Sequence, residues 1–367
     1  MAGIIHPVCA VFCVHFILAR RSEYLFFFAA GRRVVDGWRF APLASDAQAP
    51  LVQAIVLLCA LLLIGLSWGE LPDNGRTKWL KYFILLILIP LYSLLNKARM
   101  PWATGGLVTG YLMVLGLGVY QWLVTGEQGI ALLNMSYLSF SAMLGAGAIA
   151  AAGLACVSRS AVMGGVLWAA ALALIFVQFH QSGRVLLLAT LIAIVWQVYL
   201  RFKIDLRKFV GIFIALLIAA GVFAYSSPVF QERLLLVKSD IASLQQGHYN
   251  SSLGYRLAMW DVGVHAIAER PLTGYGTGVP ERYFEAAIQT YKDGLYKDLP
   301  AFQKTSHYHN DWIEIGMHVG IPGMLALLFL YWGWYQAFRR SGLGILGAGL
   351  VTYIVLSGMT DTFLIFS

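Results

Sequence analysis

Long apolar stretches separated by short polar ones dominate the chain. Many are close to about 20 residues, the length that crosses roughly 30 Å of hydrocarbon as a helix. Clear spans run near 51–68, 80–96, 106–124, 136–157, 162–180, 185–200, 209–225, 319–338 and 343–366. A weaker one covers about 4–19. In 20–50 the apolar "YLFFFAAG" is followed closely by Arg32, Arg33 and Arg39, which leaves room for a half-buried or second pass. The pattern predicts an all-α polytopic membrane protein of ten to twelve transmembrane helices. Transmembrane β-barrel alternation is absent.

The break in this rhythm is 226–308, the one sizeable polar piece. "PVFQERLLLVKSDIASLQQ" (228–246) and "SSLGYRLAMWDVGVHAIAER" (251–270) read as amphipathic helices, the second with serine at its start. "PLTGYGTGVP" (271–280) reads as a glycine-rich turn, and "ERYFEAAIQTYKDGLY" (281–296) as a third helix. Interleaved aromatic and basic residues suit a lid lying on a membrane interface. The chain then divides into N-terminal transmembrane helices (1–225), this helical loop (226–308) and C-terminal transmembrane helices (309–367), all in one integrated membrane domain.

Composition agrees. The chain is 59% hydrophobic and 12% charged, against about 25% charged for a soluble domain. The net charge of +8 is topogenic rather than a sign of nucleic acid, because basic residues hold loops on the cytoplasmic side. "RFKIDLRK" (201–208) is placed there; alternation puts Lys97, Arg99, Arg159, Arg339 and Arg340 on the same side and 226–308 outside. Cys9, Cys13, Cys59 and Cys156 all lie in apolar segments, where packing explains them better than disulfides or zinc. The first apolar stretch lacks the basic start of a cleavable signal peptide.

The spans hold almost no ionisable residues, Asp361 being the main exception. Charges at mid-bilayer are kept mainly for transport and proton relay, so an ion-coupled transporter is disfavoured. The chemistry sits at one membrane face, in "HYHNDWIEIGMHVGIPG" (307–323). His309 opens a membrane helix that Asn310 or Asp311 can cap. A helix N-terminus disfavours imidazolium, which leaves a neutral ring able to act as general base; a mere capping role stays open. Gly316, Gly320 and Gly323 share a helix face suited to close packing, and Pro322 should bend the helix.

Arg184, in "HQSGRVLLLA", lies at the outer hydrocarbon boundary. Its guanidinium suits a phosphate. Arg256, in "GYRLAMW", is a second candidate near Tyr255 and Trp260; Arg233, Lys238, Arg270, Arg282 and Lys304 are further basic groups in the loop. His307, His309, Asp311, Glu314 and His318 invite a metal, but HExxH is absent and no metal is expected. No P-loop, GxSxG or Rossmann pattern occurs. The matching substrate is a lipid-linked phosphate or diphosphate, handled by arginines without a cofactor.

"HNDWIEIGMHVGIPG" resembles the signature of bacterial O-antigen ligases and the related O-antigen polymerases: His, then Asn, Ser or Gln, nine residues, then Gly-x-x-Gly. Here His309 and Asn310 are followed, after nine residues, by Gly320, Ile321, Pro322 and Gly323. "SGRVLLLA", and Arg256 and Trp260 followed by "PLTGYGTG", look like the family pattern too. The likeness covers about 180–338. His318 stands where many relatives carry an acidic residue. The resemblance implies a membrane-embedded, GT-C type, metal-independent inverting glycosyltransferase of the bacterial inner membrane with a periplasmic site. It implies a donor glycan on undecaprenyl diphosphate and, for a ligase, a lipid A–core hydroxyl as acceptor. His309 would deprotonate or orient that hydroxyl, while Arg184 and Arg256 hold the diphosphate. Asn310, Trp260, Lys304 and His307 are the expected substrate-binding residues. O-antigen polymerase and protein O-oligosaccharyltransferase are the neighbouring alternatives; a lipid-linked substrate transporter is the alternative of another class.

Overall fold

The computed structural model describes residues 49–69, 78–95, 98–303 and 307–365. The expected span at 4–19, nearly all of the ambiguous segment 20–50, Cys9, Cys13, Lys97 and Lys304 lie outside them.

Helices make up the whole described architecture. They are α1 (Pro50–Gly65), α2 (Leu88–Leu94), α3 (Met100–Thr125), α4 (Tyr137–Val157), α5 (Ala161–Phe179), α6 (Arg184–Phe202), α7 (Leu206–Ser226), α8 (Pro228–Gln245), α9 (Ser252–Glu269), α10 (Pro280–Ala287), α11 (Leu299–Phe302), α12 (Asp311–Arg340) and α13 (Gly344–Gly358). Six of them, α3 to α7 and α12, are long and apolar enough to cross a membrane, and shorter apolar helices occupy Pro50–Gly65, Trp79–Leu91 and Gly344–Gly358. The protein is an all-α, multi-pass membrane protein. The nine clear spans read from the pattern all appear as helical segments.

Three boundaries differ from the sequence reading. The 80–96 span is a 3-10 run, Lys78–Ile87, continued by α2. The last span ends at Gly358, so Asp361 lies in a bend before a short turn, Phe363–Ile365. The third loop helix stops at Ala287. Lys292 and Asp293 there have positive φ, 48° and 58°, which an α-helix excludes.

The long helices begin where short polar side chains can take up free backbone N–H groups. Ser136 accepts from Ser139, Ser160 from Met163, Asp205 from Lys208, Ser227 from Phe230 and Ser251 from Gly254. Helix α4 is central, and its small residues admit side chains from its neighbours. Gly145 faces Gln178 and Thr190, Gly147 faces Tyr111, and Gly153 faces Gln197 and Leu346. Helix α7 buries no residue; its apolar surface is left for lipid.

The two ends of the bundle differ in charge. Arg201 Nε donates to Cys156 O (2.7 Å), and Gly153 touches Leu346. The ends of α4 and α6 and the start of α13 therefore gather on one side, which carries Arg159, Arg201, Lys203, Arg207, Lys208, Arg339 and Arg340. At the other end, Ser227 Oγ donates to Phe179 O (2.8 Å) and the loop 227–303 folds over the bundle. The loop has its own core, in which Tyr255, Met259, Val262, Phe284, Tyr296 and Tyr308 pack with Ile313 and Met317 of α12. Asp261 accepts from Tyr291, Tyr296 and Lys292, stitching the 291–296 turn onto α9.

Helix α12 is broken within its apolar length. Val319 (φ −139°) and Gly320 (φ 70°, ψ −162°) leave helical geometry. The break precedes Pro322, which was expected to cause a bend. The glycine-rich turn enters the gap: Tyr275 N donates to Met317 O (2.8 Å), Gly276 N to His318 O (3.0 Å), and Ile321 N to Pro271 O (2.7 Å). A Cβ on Gly320 would lie 2.5 Å from Pro271 O, so a glycine is needed for both dihedral and space. Gly316 packs against Ile267, whereas the space at Gly323 is filled by Ile315 and Val319 of its own helix. Only part of the expected small-residue face therefore meets a neighbouring segment.

Candidate active site

His309 sits immediately before α12 in a left-handed backbone conformation, φ 48°. Non-glycine residues take this conformation rarely and are held in it by their surroundings. Here the surroundings grip the neighbouring peptides. Glu314 Oε2 accepts from Tyr308 N (2.8 Å), and Trp260 Nε1 donates to Tyr308 O (3.1 Å). The Tyr308 hydroxyl donates to Pro280 O (3.1 Å). On the other side Asn310 caps α12, its Oδ1 accepting from Trp312 N (2.9 Å) and Ile313 N (3.1 Å), while its Nδ2 donates to Met359 O (2.9 Å). Trp260 and Asn310, both expected at the substrate, are thus engaged in holding the backbone around His309.

The His309 ring meets Asp361. Nδ1 lies 2.9 Å from Asp361 Oδ1, and His307 Nε2 lies 3.1 Å from the same oxygen. The two imidazoles are 4.0 Å apart, centroid to centroid. Thr362 N donates to that oxygen as well (2.9 Å), and Arg256 Nη2 stands 3.8 Å from Oδ2. Burial pushes the Asp361 carboxyl up, but the bonds and charge of the two histidines outweigh it and hold the group well below the usual carboxylate range. His309 is held below its ordinary value, first by burial and then by His307 and Arg256, with Asp361 opposing. The lowered imidazole anticipated from the helix terminus is present, with burial as its main cause. A neutral ring whose Nδ1–H is anchored on a carboxylate offers Nε2 as a proton acceptor.

Asp361 also lines a cavity of 620 Å³ that contains Arg184, Arg233, Asp240 and Arg256. Three arginines thus face two aspartates, one of them tied to the histidines. Arg184 is the first residue of α6, whose positive end opens on the same space; Gly183, Arg184, Val185 and Leu186 all line it. Arg184 Nη1 donates to Arg233 O (2.8 Å), and Arg233 Nε to Ser182 Oγ (3.1 Å). Helix α8 forms one wall through Leu236, Val237 and Asp240, although none of its residues is buried. Arg184, Arg256 and His309 are therefore brought to one place, with Asp361 as the link between ring and cavity. Lys304 falls outside the described residues.

The other ionisable residues of the signature stretch serve the fold. The carboxylate of Asp311 is buried against Gly358 and lies 3.4 Å from Leu364 N. Glu314 holds Tyr308 N, and His318 Nδ1 accepts from Gly278 N (3.1 Å). Sequence reasoning did not assign Asp361 to the site. Its signal was present, as the solitary acid of an apolar C-terminal span. Arg233 was legible only as one of several loop cations.

Residues 168–328 match the model of the O-antigen ligase family. Over this segment the chain is similar to the O-antigen ligase family. The matched segment contains Arg184, Arg256, His309 and the broken helix through Gly320; Asp361 lies beyond it. An O-antigen ligase of Escherichia coli (strain K12) is 27% identical over 158 residues, 42% of this chain and 36% of that protein. An uncharacterised protein of Haemophilus influenzae is 28% identical over 127 residues, 34% of this chain and 31% of that one. The similarity spans about a third of the length of each relative.

Proposed function

We propose that this chain is a metal-independent, inverting glycosyltransferase of the O-antigen ligase type. It moves a glycan from undecaprenyl diphosphate to a sugar hydroxyl of lipid A–core at the periplasmic face of the bacterial inner membrane. The observation that carries the reading is the shared cavity: Arg184, Arg233 and Arg256 line it together with Asp361, which hydrogen-bonds His309.

The acceptor hydroxyl gives its proton to His309 Nε2 as its oxygen attacks the anomeric carbon of the donor sugar. A glycosidic bond forms on the face opposite the leaving group, and the bond from that carbon to the diphosphate oxygen breaks. Undecaprenyl diphosphate departs with the electron pair. Arg184 and Arg256 hold the diphosphate and stabilise its added charge, as fixed cations in a partly dry site do best. Asp361 keeps His309 in the Nδ1–H tautomer and stabilises the imidazolium that forms. His309 then returns the proton to water. Trp260 and Asn310 contribute by fixing the His309 backbone, and His307 shares the carboxylate.

The broken helix weighs against the transporter alternative. Unwound membrane helices in transporters expose backbone groups to a substrate or ion. Here those groups at 317, 318 and 321 pair with the 271–276 turn.

The test is reconstitution of purified protein with undecaprenyl-diphosphate glycan and lipid A–core. Growth of lipid A–core in the wild type, and none with a folded His309→Ala variant, is the expected result. Growth of the donor glycan instead would make the chain a polymerase, and modification of a serine peptide an O-oligosaccharyltransferase. Undiminished transfer by His309→Ala would remove the base.

A further inference from the structure

Among the described residues, one cluster has the make-up of a metal site: His307, His309 and Asp361, each offering one donor atom, with all three atoms within 4.8 Å of one another. Two contacts are closer still, 3.1 Å from His307 Nε2 and 2.9 Å from His309 Nδ1 to Asp361 Oδ1. Zinc bonded at about 2.0–2.1 Å to tetrahedral ligands spaces its donor atoms by about 3.4 Å. The two histidine–carboxylate spacings are within about 0.5 Å of that value, and the third pair of donor atoms lies within 4.8 Å. Two imidazoles and one carboxylate suit zinc and similar late transition ions; magnesium and calcium prefer oxygen ligands. Asp361 lines the 620 Å³ cavity, which supplies a route for an ion and room for its fourth ligand.

We propose that His307, His309 and Asp361 form an inhibitory binding site for a late transition-metal cation such as Zn2+. This rests on the assignment of His309 as the base. The consequence follows from the two nitrogens of one ring. In the metal-free protein Nδ1 carries the proton donated to Asp361, and Nε2 keeps the lone pair that accepts the acceptor's proton. An ion on Nδ1 takes that lone pair, so a neutral ring must carry its proton on Nε2. The base is lost without any change of fold. The His307 proton moves from Nε2 to Nδ1 in the same way. Arg256, 3.8 Å from Asp361 Oδ2, opposes a cation there, which suits a reversible inhibitor better than a resident ion.

Full-length protein in detergent, stripped with chelator, is titrated with Co2+ as a spectroscopic probe and, separately, with Zn2+ during glycan transfer. The expected result is one equivalent of Co2+ with visible bands of a four-coordinate ion, displaced by Zn2+ and missing in His307→Ala. Zn2+ should stop transfer, EDTA should restore it, and Mg2+ should do neither. For His307→Ala, scored against its own metal-free rate, half-inhibition should need at least about 10-fold more Zn2+. No Co2+ band in the wild type, or the same band in a folded His307→Ala protein, would overturn the site. Saturation of the site without loss of transfer would overturn its inhibitory role. The optical readout is independent of the reaction assigned to the protein, so failure of that assignment shows separately.

Discussion

His309 Nδ1 and Asp361 Oδ1 are 2.9 Å apart although 52 positions separate them in sequence. One residue precedes helix α12, the other follows helix α13, and the antiparallel packing of these helices brings both to one end of the bundle. In the proposed reaction the pair is the base and its orienting acid. Asp361→Asn should therefore lower kcat for glycan transfer by about 100-fold or more, the usual contribution of a positioned general base. A steady-state assay of the folded variant checks this.

The pH dependence has a definite sign. Burial holds His309 below the ordinary imidazole value, so the reactive neutral form is populated at neutral pH. Transfer should rise with pH along an acid limb whose midpoint lies below the ordinary imidazole value of ~6.5. Asp361 favours the charged ring; Asp361→Asn should move that limb to still lower pH. A pH–kcat profile of both proteins reads the shift, and a limb moving upward would contradict it.

Arg184→Lys and Arg256→Lys keep a charge but lose the planar fork. Each should reduce kcat/KM by about 100-fold, comparable to removing one preorganised donor to a developing anion. Loss of the Arg184–Arg233 O bond costs about 1 kcal/mol, so detergent thermal melts should fall only slightly. Equal transfer by the lysine variants would show that a point charge suffices.

Trp260 Nε1 donates to Tyr308 O. Trp260→Phe keeps a large ring and removes that bond, at a cost of about 1 kcal/mol in stability. It should lower kcat more than it changes KM, because the loss falls on the placement of His309. A variant altered in KM alone would put Trp260 at the substrate instead.

Gly320→Ala should be the most destabilising of these changes. A positive φ and a Cβ 2.5 Å from Pro271 O together predict a loss of about 1–3 kcal/mol or more. The melting temperature in detergent should fall, and activity should fall with it, since the 271–278 turn leads to the Tyr308 clamp through Pro280.

Much of the fold was readable along the chain. Apolar runs of membrane length mark helices because no other open structure satisfies its backbone in lipid. Ser136, Ser160, Asp205, Ser227 and Ser251 each stand at the start of a helix, where a short polar side chain is favoured. The break at Gly320 was misplaced to Pro322. Proline is a local signal for a bend, whereas this break exists because a turn fifty residues away fills the gap.

The sequence by itself determined the helical membrane class and singled out His309, Arg184 and Arg256 as candidates, which the fold brings to one place. These follow from hydropathy, charge placement and a short motif, all local properties. Only the tertiary structure decided that Asp361 hydrogen-bonds His309, that Trp260 and Asn310 hold the backbone beside it, and that Arg233 joins the cavity. Hydrogen bonds and ion pairs act over a few ångströms in space, between helices whose order along the chain says little about which ends will meet.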